Sequence, residues 1–330
     1  MFLSTSSIGA RTSALGTSSR LVWTSARPRV VKTADYCKNL VQRLDRDAFL
    51  TSYFYPPSIR PSFFAIRAFN IETATVKDQV SNSALGRIRM QWWRDTVNTL
   101  YREPSPIQHP VALALHDAVR KANIPEYHLN RIIDARDQDF DNAHHMTMES
   151  LRAYSESTSS TILYILIPLL VHPQGPGASR LSDFSHAASH LGFAQTIITL
   201  IRSLPYHASK RYMPIPTEVT AKHSVSHEDV FRYGGSAKGV SDAVYEFACV
   251  AKEGLDVARS IFAEGTFKGD GLSIVKVPPE VLPIFLSGVP IASYLSRLES
   301  VDFNAFHTSL QFSDWKLPFQ VWRNRRWRRF

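Results

Sequence analysis

Residues 202–216, with the sequence RSLPYHASKRYMPIP, carry cations that could bind a diphosphate or another anion. Arg202, Lys210 and Arg211 lie in this stretch, and a guanidinium is suited to bidentate contact with phosphate oxygens. The stretch has no carboxylate, so it lacks the ligands that would hold Mg²⁺ beside a diphosphate. Two interpretations remain open. One is an anion site for a lipid phosphate or a nucleotide, and the other is a basic helix end that offsets the negative pole of the helix dipole.

The acid-richest run, DARDQDFD at 134–141, places Asp134, Asp137 and Asp141 on one face of a predicted helix. Three aligned carboxylates could hold a cation, because hard cations prefer oxygen ligands. Arg136 lies among them, however, and acidic helix faces are commonly solvated. The run is therefore compatible with a cation site and with an ordinary surface.

Isolated titratable residues give weaker signals. Asp78 stands beside Lys77 at a predicted helix end, where a solvated or paired carboxylate is a simpler interpretation than a metal ligand. His144 and His145 fall in a predicted loop, and His207 has no second imidazole at ligand spacing. We expect none of these three histidines to be catalytic.

The elements that carry these residues are predicted to be helices, because apolar residues recur every three or four positions from residue 35 onward. The predicted helices span 35–48, 57–79, 82–102, 108–122, 125–142, 148–170, 180–204, 226–233, 238–264, 279–298 and 315–328. Stretches with Pro or Gly mark the breaks, and 171–180 and 267–280 are predicted surface loops. Residues 161–170 and 190–201 are apolar nearly all round, which predicts two central helices around a cavity or a tightly packed centre.

The positive charge of the chain is concentrated at its two ends. Residues 1–34 and 322–330 together hold ten of the 38 basic residues and no acid, which leaves 28 basic against all 29 acidic residues between them. The body is thus nearly neutral, which argues against a nucleic-acid-binding surface. No Gly/Ser-rich linker divides 35–321, so we predict one domain there.

The N-terminal segment, 1–34, has scattered Arg, seven Ser, five Thr and no Asp or Glu. This composition is typical of a mitochondrial transit peptide, and a disordered tail is the alternative. Cys37 and Cys249 form no ligand-spaced pair, so neither a disulfide framework nor a zinc site is predicted. The longest apolar runs are about half the ~20 residues that a membrane span requires.

The C-terminal segment, WRNRRWRRF at 322–330, combines two indoles with five guanidiniums. Indoles settle at headgroup depth and guanidiniums meet lipid phosphates, so these residues predict contact with an anionic membrane surface. The candidate contact residues are Trp322, Arg323, Arg325, Arg326, Trp327, Arg328 and Arg329. The alternative is a solvated tail whose tryptophans fold back on the body.

Several longer segments resemble the squalene/phytoene synthase family. They are DRDAFLTSYFYPPSIRPSFFAIRAFNIETATVKD (45–78), RMQWWRDTV (89–97), HAASHLGFAQTIITLIRSLPYHASKRYMPIP (186–216) and PIFLSGVPIASYLSRLESVDF (283–303). The resemblance covers roughly 36–325 and implies an isoprenoid-synthase-like, single-domain helical bundle around a central cavity. Four segments are similar to a narrower mitochondrial branch, the complex I assembly factors, which makes no prenyl product: AFNIETATVKD, RMQWWRDTV, PYHASKRYMPIP and VDFNAFH.

The chemistry of the synthases depends on two DxxxD motifs on facing helices, whose carboxylates hold Mg²⁺ against the diphosphate. Alignment with the first motif places Ala74 at the leading acid and Asp78 at the trailing one. Alignment with the second places Ser203 and His207 at the acidic positions. Neither a hydroxyl nor a neutral imidazole is a good Mg²⁺ ligand. The resemblance therefore implies a degenerate site with no metal, no other cofactor and no catalytic residue.

The resemblance implies a non-catalytic scaffold on the matrix side of the mitochondrial inner membrane. Its expected partners are complex I subunits or other assembly factors and anionic inner-membrane lipid, with an isoprenoid or lipid as a candidate ligand. The rival hypothesis is a prenyl-diphosphate transferase that uses Asp78 together with Asp134 or Asp137. A third is a lipid-binding protein whose cavity holds an isoprenoid or cardiolipin.

Overall fold

The computed structural model describes residues 33–102, 108–141, 145–172, 174–175, 177–263 and 276–330. Nearly all of the predicted transit peptide lies outside the described residues. The same is true of His144 and of most of the predicted loop at 267–280.

The described residues form α-helices and no strand, which confirms the all-α prediction. The helices are α1 (Thr33–Leu44), α2 (Arg46–Ser52), α3 (Arg60–Gln79), α4 (Ser83–Arg102), α5 (Pro110–Ala122), α6 (Glu126–Gln138), α7 (Met148–Ser155), α8 (Thr161–Leu170), α9 (Leu181–Ser209), α10 (Thr217–Lys222), α11 (His227–Tyr233), α12 (Val240–Ala263), α13 (Leu282–Phe285), α14 (Gly288–Glu299), α15 (Thr308–Gln311) and α16 (Leu317–Trp327). A π-helical turn, Glu156–Ser160, joins α7 to α8.

Several predicted helix boundaries were wrong, and α10 and α15 were not predicted. The helix predicted over 35–48 is divided, because Asp45 leaves helical geometry and its carboxylate accepts a hydrogen bond from the Ala48 amide, 3.1 Å away, to cap α2. The predicted break after residue 204 is absent, and α9 continues through Pro205 to Ser209. Proline removes one hydrogen bond there, but Leu204 and Ala208 are buried and hold the last turn in place. The helix predicted over 279–298 is two helices, α13 and α14.

The α9 helix lies in the middle of the bundle, as its all-round apolar sequence predicts. Leu191, Ala194 and Ile197 are fully buried, and α9 packs along α12, α8 and the π-helical turn. Gly192 allows the approach to that turn, because a Cβ at this position would lie 2.6 Å from the Ser160 Cα. The turn thereby brings Thr158 and Ser159 to the wall of a cavity beside α9.

Within the described part of the chain, none of the helices has the length and apolar character that a bilayer span needs.

Candidate functional site

A cavity of about 730 Å³ lies between α2, α3, α8, α9 and α14. Its buried lining is largely apolar and includes Phe63, Leu163, Leu166, Ile198, Ile284 and Ile291. Its exposed lining carries positive charge, from Arg43, Arg46 and Arg202. An apolar wall with a cationic opening suits an amphiphile that has a hydrocarbon tail and an anionic head.

The structure brings the two aligned motif segments to this cavity. Ala74 of α3 and Ser203 of α9 both line it, and the Ser203 hydroxyl donates to the Leu200 carbonyl at 3.1 Å. Asp78 and His207 lie one turn further along the same two helices and interact with each other electrostatically. Burial lowers the pKa of His207, and the negative charge of Asp78 only partly opposes that shift. The imidazole is therefore neutral near pH 7.

Of the four aligned positions, Asp78 alone bears a carboxylate, and it is exposed rather than in the cavity lining. In the described residues, no cluster of three or more His, Cys, Asp or Glu side chains is arranged to hold a metal ion. The arrangement gives Mg²⁺ no set of oxygen ligands at the place where the alignment locates the two motifs.

Two carboxylates do line the cavity, and both are held by arginines. Asp45 forms an ion pair with Arg67, whose side chain is 9% exposed. Asp47 Oδ2 lies 2.8 Å from Arg202 Nη1, and the Arg202 guanidinium also lies over the Tyr294 ring, 5.1 Å from its centroid. The charge of each paired arginine offsets that of its carboxylate and so weakens the attraction of the carboxylate for Mg²⁺.

Arg136, which lies within the acidic run, also lines the cavity. Its Nη2 donates to Asn70 Oδ1 at 2.9 Å and its Nη1 to the Tyr154 hydroxyl at 3.3 Å. Burial raises the pKa of Tyr154 to about 12, so this phenol stays protonated. The Nε atoms of Arg136 and of Arg67 are buried and have no hydrogen-bond partner. An unsatisfied buried donor costs about 1–3 kcal/mol, which makes both groups candidate contacts for an acceptor in the cavity.

The three aligned acids of the run, Asp134, Asp137 and Asp141, face α4 and do not line the cavity. Arg94 Nη2 lies 2.9 Å from Asp134 Oδ1 and 2.8 Å from Asp137 Oδ2, while Asp141 pairs with Arg87. These pairs occupy the carboxylates that the sequence left as candidate cation ligands.

The three cations of residues 202–216 do not converge. Arg202 lines the cavity, whereas Lys210 follows the end of α9 and Arg211 pairs with Glu228 at 2.6 Å. Neither Lys210 nor Arg211 is part of the cavity lining. Of these three residues, Arg202 alone lines the cavity. His145, in the predicted loop, lies with its ring 5.1 Å from that of Tyr154.

A second chamber, of about 440 Å³, adjoins the cavity and shares Arg46, Asp47, Arg202 and Pro290 with it. Its other lining residues come mainly from α14 and from the segment that leads into α16. The Asp47–Arg202 pair thus belongs to the walls of both spaces.

The predicted membrane-contact residues lie on α16 and just after it. Trp322 and Trp327 are 57% and 59% exposed, and Arg323, Arg325, Arg326 and Arg329 are exposed as well. Arg328 is partly buried, and the next residue but one, Phe330, is buried. The tryptophans are therefore not folded back on the body.

Sequence reasoning missed most of the charged cavity lining. Asp45 and Asp47 stand in the segment DRDAFL, and Arg67 stands in the next helix, yet they were used only as marks of family likeness. A cation placed in the middle of an apolar helix face, as Arg67 is in FFAIRAF, was the available signal, because a buried arginine requires a partner.

Comparisons with known proteins show the family and the fold of the chain. The model of the squalene/phytoene synthase family matches residues 41–323. The fold is similar to the crystal structure of a dehydrosqualene synthase in complex with ligand, with a TM-score of 0.72 over 88% of this chain and 95% of that one. The identity in that comparison is 14%, so it shows the fold alone.

Two relatives carry the same name. The chain is 37% identical to NADH dehydrogenase (ubiquinone) complex I, assembly factor 6, of Mus musculus, over 93% of this chain and 87% of the mouse protein. It is 31% identical to the homolog of that factor in Drosophila melanogaster, over 87% of this chain and 82% of the fly protein. These matches confirm the resemblance that the motif segments carry.

Proposed function

The chain belongs to the squalene/phytoene synthase family, and within it to the branch of the complex I assembly factor 6 proteins, and we propose that it assists the assembly of mitochondrial respiratory complex I. In this proposal it is a scaffold that has kept the cavity of the fold without metal-dependent synthase chemistry. Complex I subunits or other assembly factors are its partners.

The state of the cavity carboxylates is the observation that best supports a non-catalytic role. Departure of a diphosphate needs cations that neutralise its developing charge. The two acids of the lining, Asp45 and Asp47, are each paired with an arginine, and the aligned positions Ala74 and Ser203 have no charge. This cavity has positive charge to bind an anion but no carboxylate array to position Mg²⁺.

The proposed location is the matrix side of the inner membrane. Residues 1–34 have the composition of a transit peptide, and Trp322, Trp327 and the arginines between and after them would make peripheral contact with anionic lipid. The two named relatives support a mitochondrial site of action, since complex I is in their names.

Gene deletion followed by native-gel analysis of respiratory complexes tests the assembly role. We expect loss of mature complex I with the other complexes retained, and rescue by the wild-type gene. An Asp78→Asn variant should rescue equally well, because the proposal gives the last motif carboxylate no catalytic task. Normal complex I in the deletion strain would contradict the assembly role. If the wild-type gene rescued complex I and Asp78→Asn did not, a metal-dependent function of this carboxylate would be favoured instead.

The enzymatic rival is tested with purified protein, Mg²⁺ and farnesyl or geranylgeranyl diphosphate. We expect no turnover beyond that of buffer. Steady release of pyrophosphate would contradict the scaffold and would favour the transferase.

A second candidate function, amphiphile binding, is favoured by the buried Nε atoms of Arg67 and Arg136 at a largely apolar cavity. An isoprenoid or lipid with an oxygen-rich head would give these donors an acceptor while its tail lies against Leu163 and Ile198. Native mass spectrometry of the protein purified without detergent should show one bound amphiphile. A protein that is always recovered empty would count against this candidate.

A further inference from the structure

The α16 helix has one face in the protein and one face in solvent. Leu317 and Val321 are buried, and the helix packs against α14. Phe319, Trp322, Arg323 and Arg326 recur at the i, i+3, i+4, i+7 spacing of one helical stripe on the opposite side.

Three exposed aromatic side chains form what we call the aromatic face: Trp315, which lies just before α16, and Phe319 and Trp322 on the outer side of the helix. They are 80%, 62% and 57% exposed, and the Phe319 and Trp322 rings stack with their centroids 6.0 Å apart. The solvent side of a surface helix is normally polar. Exposed aromatic side chains at this position therefore indicate a surface that a membrane or another molecule covers.

The exposure of this face does not come from fraying of the chain end. Phe330, which follows α16, is buried with its ring centroid 5.4 Å from Phe285 and 5.9 Å from Phe262. The Arg259 Nε donates to the Phe330 carbonyl at 2.6 Å. The helix is thus held to the body beyond its last turn, and it presents its outer side as a fixed surface.

The charge around the aromatic face has one sign. Residues 315–330 contain Lys316 and five arginines and no acidic residue. Among the described residues, no ion pair joins any of these six cations to a carboxylate, whereas many arginines of the body are paired. The preceding acid, Asp314, is turned inward and accepts a hydrogen bond from the Ser293 hydroxyl at 2.5 Å.

We propose that the aromatic face, together with Arg323 and Arg326, docks the protein on an anionic phospholipid surface. The indoles of Trp315 and Trp322 would lie at headgroup depth, and the guanidiniums would meet lipid phosphates. This inference deepens the membrane location given above by naming the surface that makes the contact. It needs no spanning segment, and α16 keeps its place in the fold.

A bilayer fits this surface better than a second copy of the chain does. In a symmetric dimer the same patch of each copy contacts the other. The six cations of one copy would then face the six cations of the second copy and repel them. An anionic lipid surface instead supplies compensating charge along the whole stripe. An acidic protein segment shares this charge complementarity, and the experiment below distinguishes it.

Flotation of the full chain with vesicles of phosphatidylcholine containing 20% cardiolipin, and with pure phosphatidylcholine, tests the proposal. The wild type should float with the anionic vesicles and lose binding as salt is raised. Trp315→Ser, Phe319→Ser and Trp322→Ser combined should lower the partition coefficient about tenfold or more. Arg323→Gln with Arg326→Gln should lower it about fivefold for each charge removed. Tyr127→Ser with Tyr233→Ser removes two equally exposed aromatics elsewhere and should bind as the wild type does.

Fluorescence quenching by brominated lipid gives a readout that does not depend on affinity. In single-tryptophan variants, Trp315 and Trp322 should be quenched on binding, and the buried Trp93 should not. The basic N-terminal segment is common to all these proteins, so differences among them report on α16.

Several results would overturn the proposal. They are equal flotation of the triple aromatic variant and the wild type, the absence of quenching at Trp315 and Trp322, and a dimer that the triple variant abolishes. Capture of an acidic peptide by the aromatic face in the absence of vesicle binding would also overturn it. Loss of complex I in a deletion strain, or its persistence, leaves each of these outcomes unchanged, so the docking surface and the assembly role fail separately.

Discussion

Asp47 Oδ2 and Arg202 Nη1 lie 2.8 Å apart at the junction of the cavity and the second chamber. The two side chains are 29% and 45% exposed, so water screens their attraction. The pair neutralises Arg202, which is the cation of residues 202–216 that lines the cavity. It therefore sets how much positive charge an incoming anionic head would meet.

Removal of Asp47 and removal of Arg202 should change the affinity of the cavity for an anion in opposite directions. Asp47→Asn frees Arg202 and should tighten the binding of dodecyl phosphate by up to about fivefold, whereas Arg202→Gln should weaken it. Because the pair is partly exposed, each change should cost less than about 1 kcal/mol of unfolding free energy. Isothermal titration measures the binding, with Asp183→Asn, which breaks the remote Arg180 pair, as control. Changes of the same sign in both cavity variants would contradict this role.

The Asp45–Arg67 pair should behave differently, because it is buried. Asp45→Ala removes the partner of a side chain that is 9% exposed and also removes the cap of α2. An uncompensated buried charge costs about 3–5 kcal/mol. Urea unfolding should show a loss of that size for Asp45→Ala and a loss of about 0–1 kcal/mol for Asp183→Ala, an exposed pair. Similar small losses in both variants would show that Arg67 finds another partner.

Acidification should destabilise the protein through partly buried imidazoles such as His109. Its ring lies against Trp92 and Trp93, and burial lowers its pKa below 6.5, an effect that the charge of Glu72 only partly opposes. As pH falls below about 6.5 the unfolded chain takes up this proton first, so the free energy of unfolding decreases. Urea unfolding at pH 7.5 and 5.5 measures the slope, which should be smaller for His109→Gln than for the wild type. Ile132→Val, a core change without a titratable group, should keep the wild-type slope.

The helical architecture and the position of the two motif segments could be predicted from the sequence, because each depends on residues that lie close together along the chain. The apolar sequences of α3 and α9 are local information that predicts helices, and the structure places Ala74 and Ser203 of these helices at the cavity. The family likeness added which two helices share that cavity.

The electrostatic partners could not be predicted, because each joins residues that are distant in sequence. Arg94 and Asp137 are 43 positions apart, and Arg202 and Asp47 are 155 apart. No pattern within either segment identifies its partner. The continuation of α9 through Pro205 could not be predicted for the same reason. Other helices bury Leu204 and Ala208, and this burial outweighs the local break signal of the proline.

Restoring the missing acids should give the cavity a metal response that the wild type lacks. Ala74→Asp, Ser203→Asp and His207→Asp together with the native Asp78 would place four carboxylates on α3 and α9. Without metal, these like charges should lower the melting temperature. With Mg²⁺ and farnesyl diphosphate, bound ligand should raise it again, since a ligand at 100 times its Kd stabilises by about 2.7 kcal/mol.

Scanning calorimetry with and without Mg²⁺ measures this response. A control with three acids at exposed positions, Gln79→Asp in α3, Ser209→Asp in α9 and Lys210→Asp directly after α9, should show no shift that depends on both metal and diphosphate. The wild type should likewise be insensitive to Mg²⁺, because its cavity acids are already held by Arg67 and Arg202. Stabilisation of the wild type by Mg²⁺ with farnesyl diphosphate would mean that Asp45 and Asp47 can exchange their arginines for metal, and the cavity would then be a working diphosphate site.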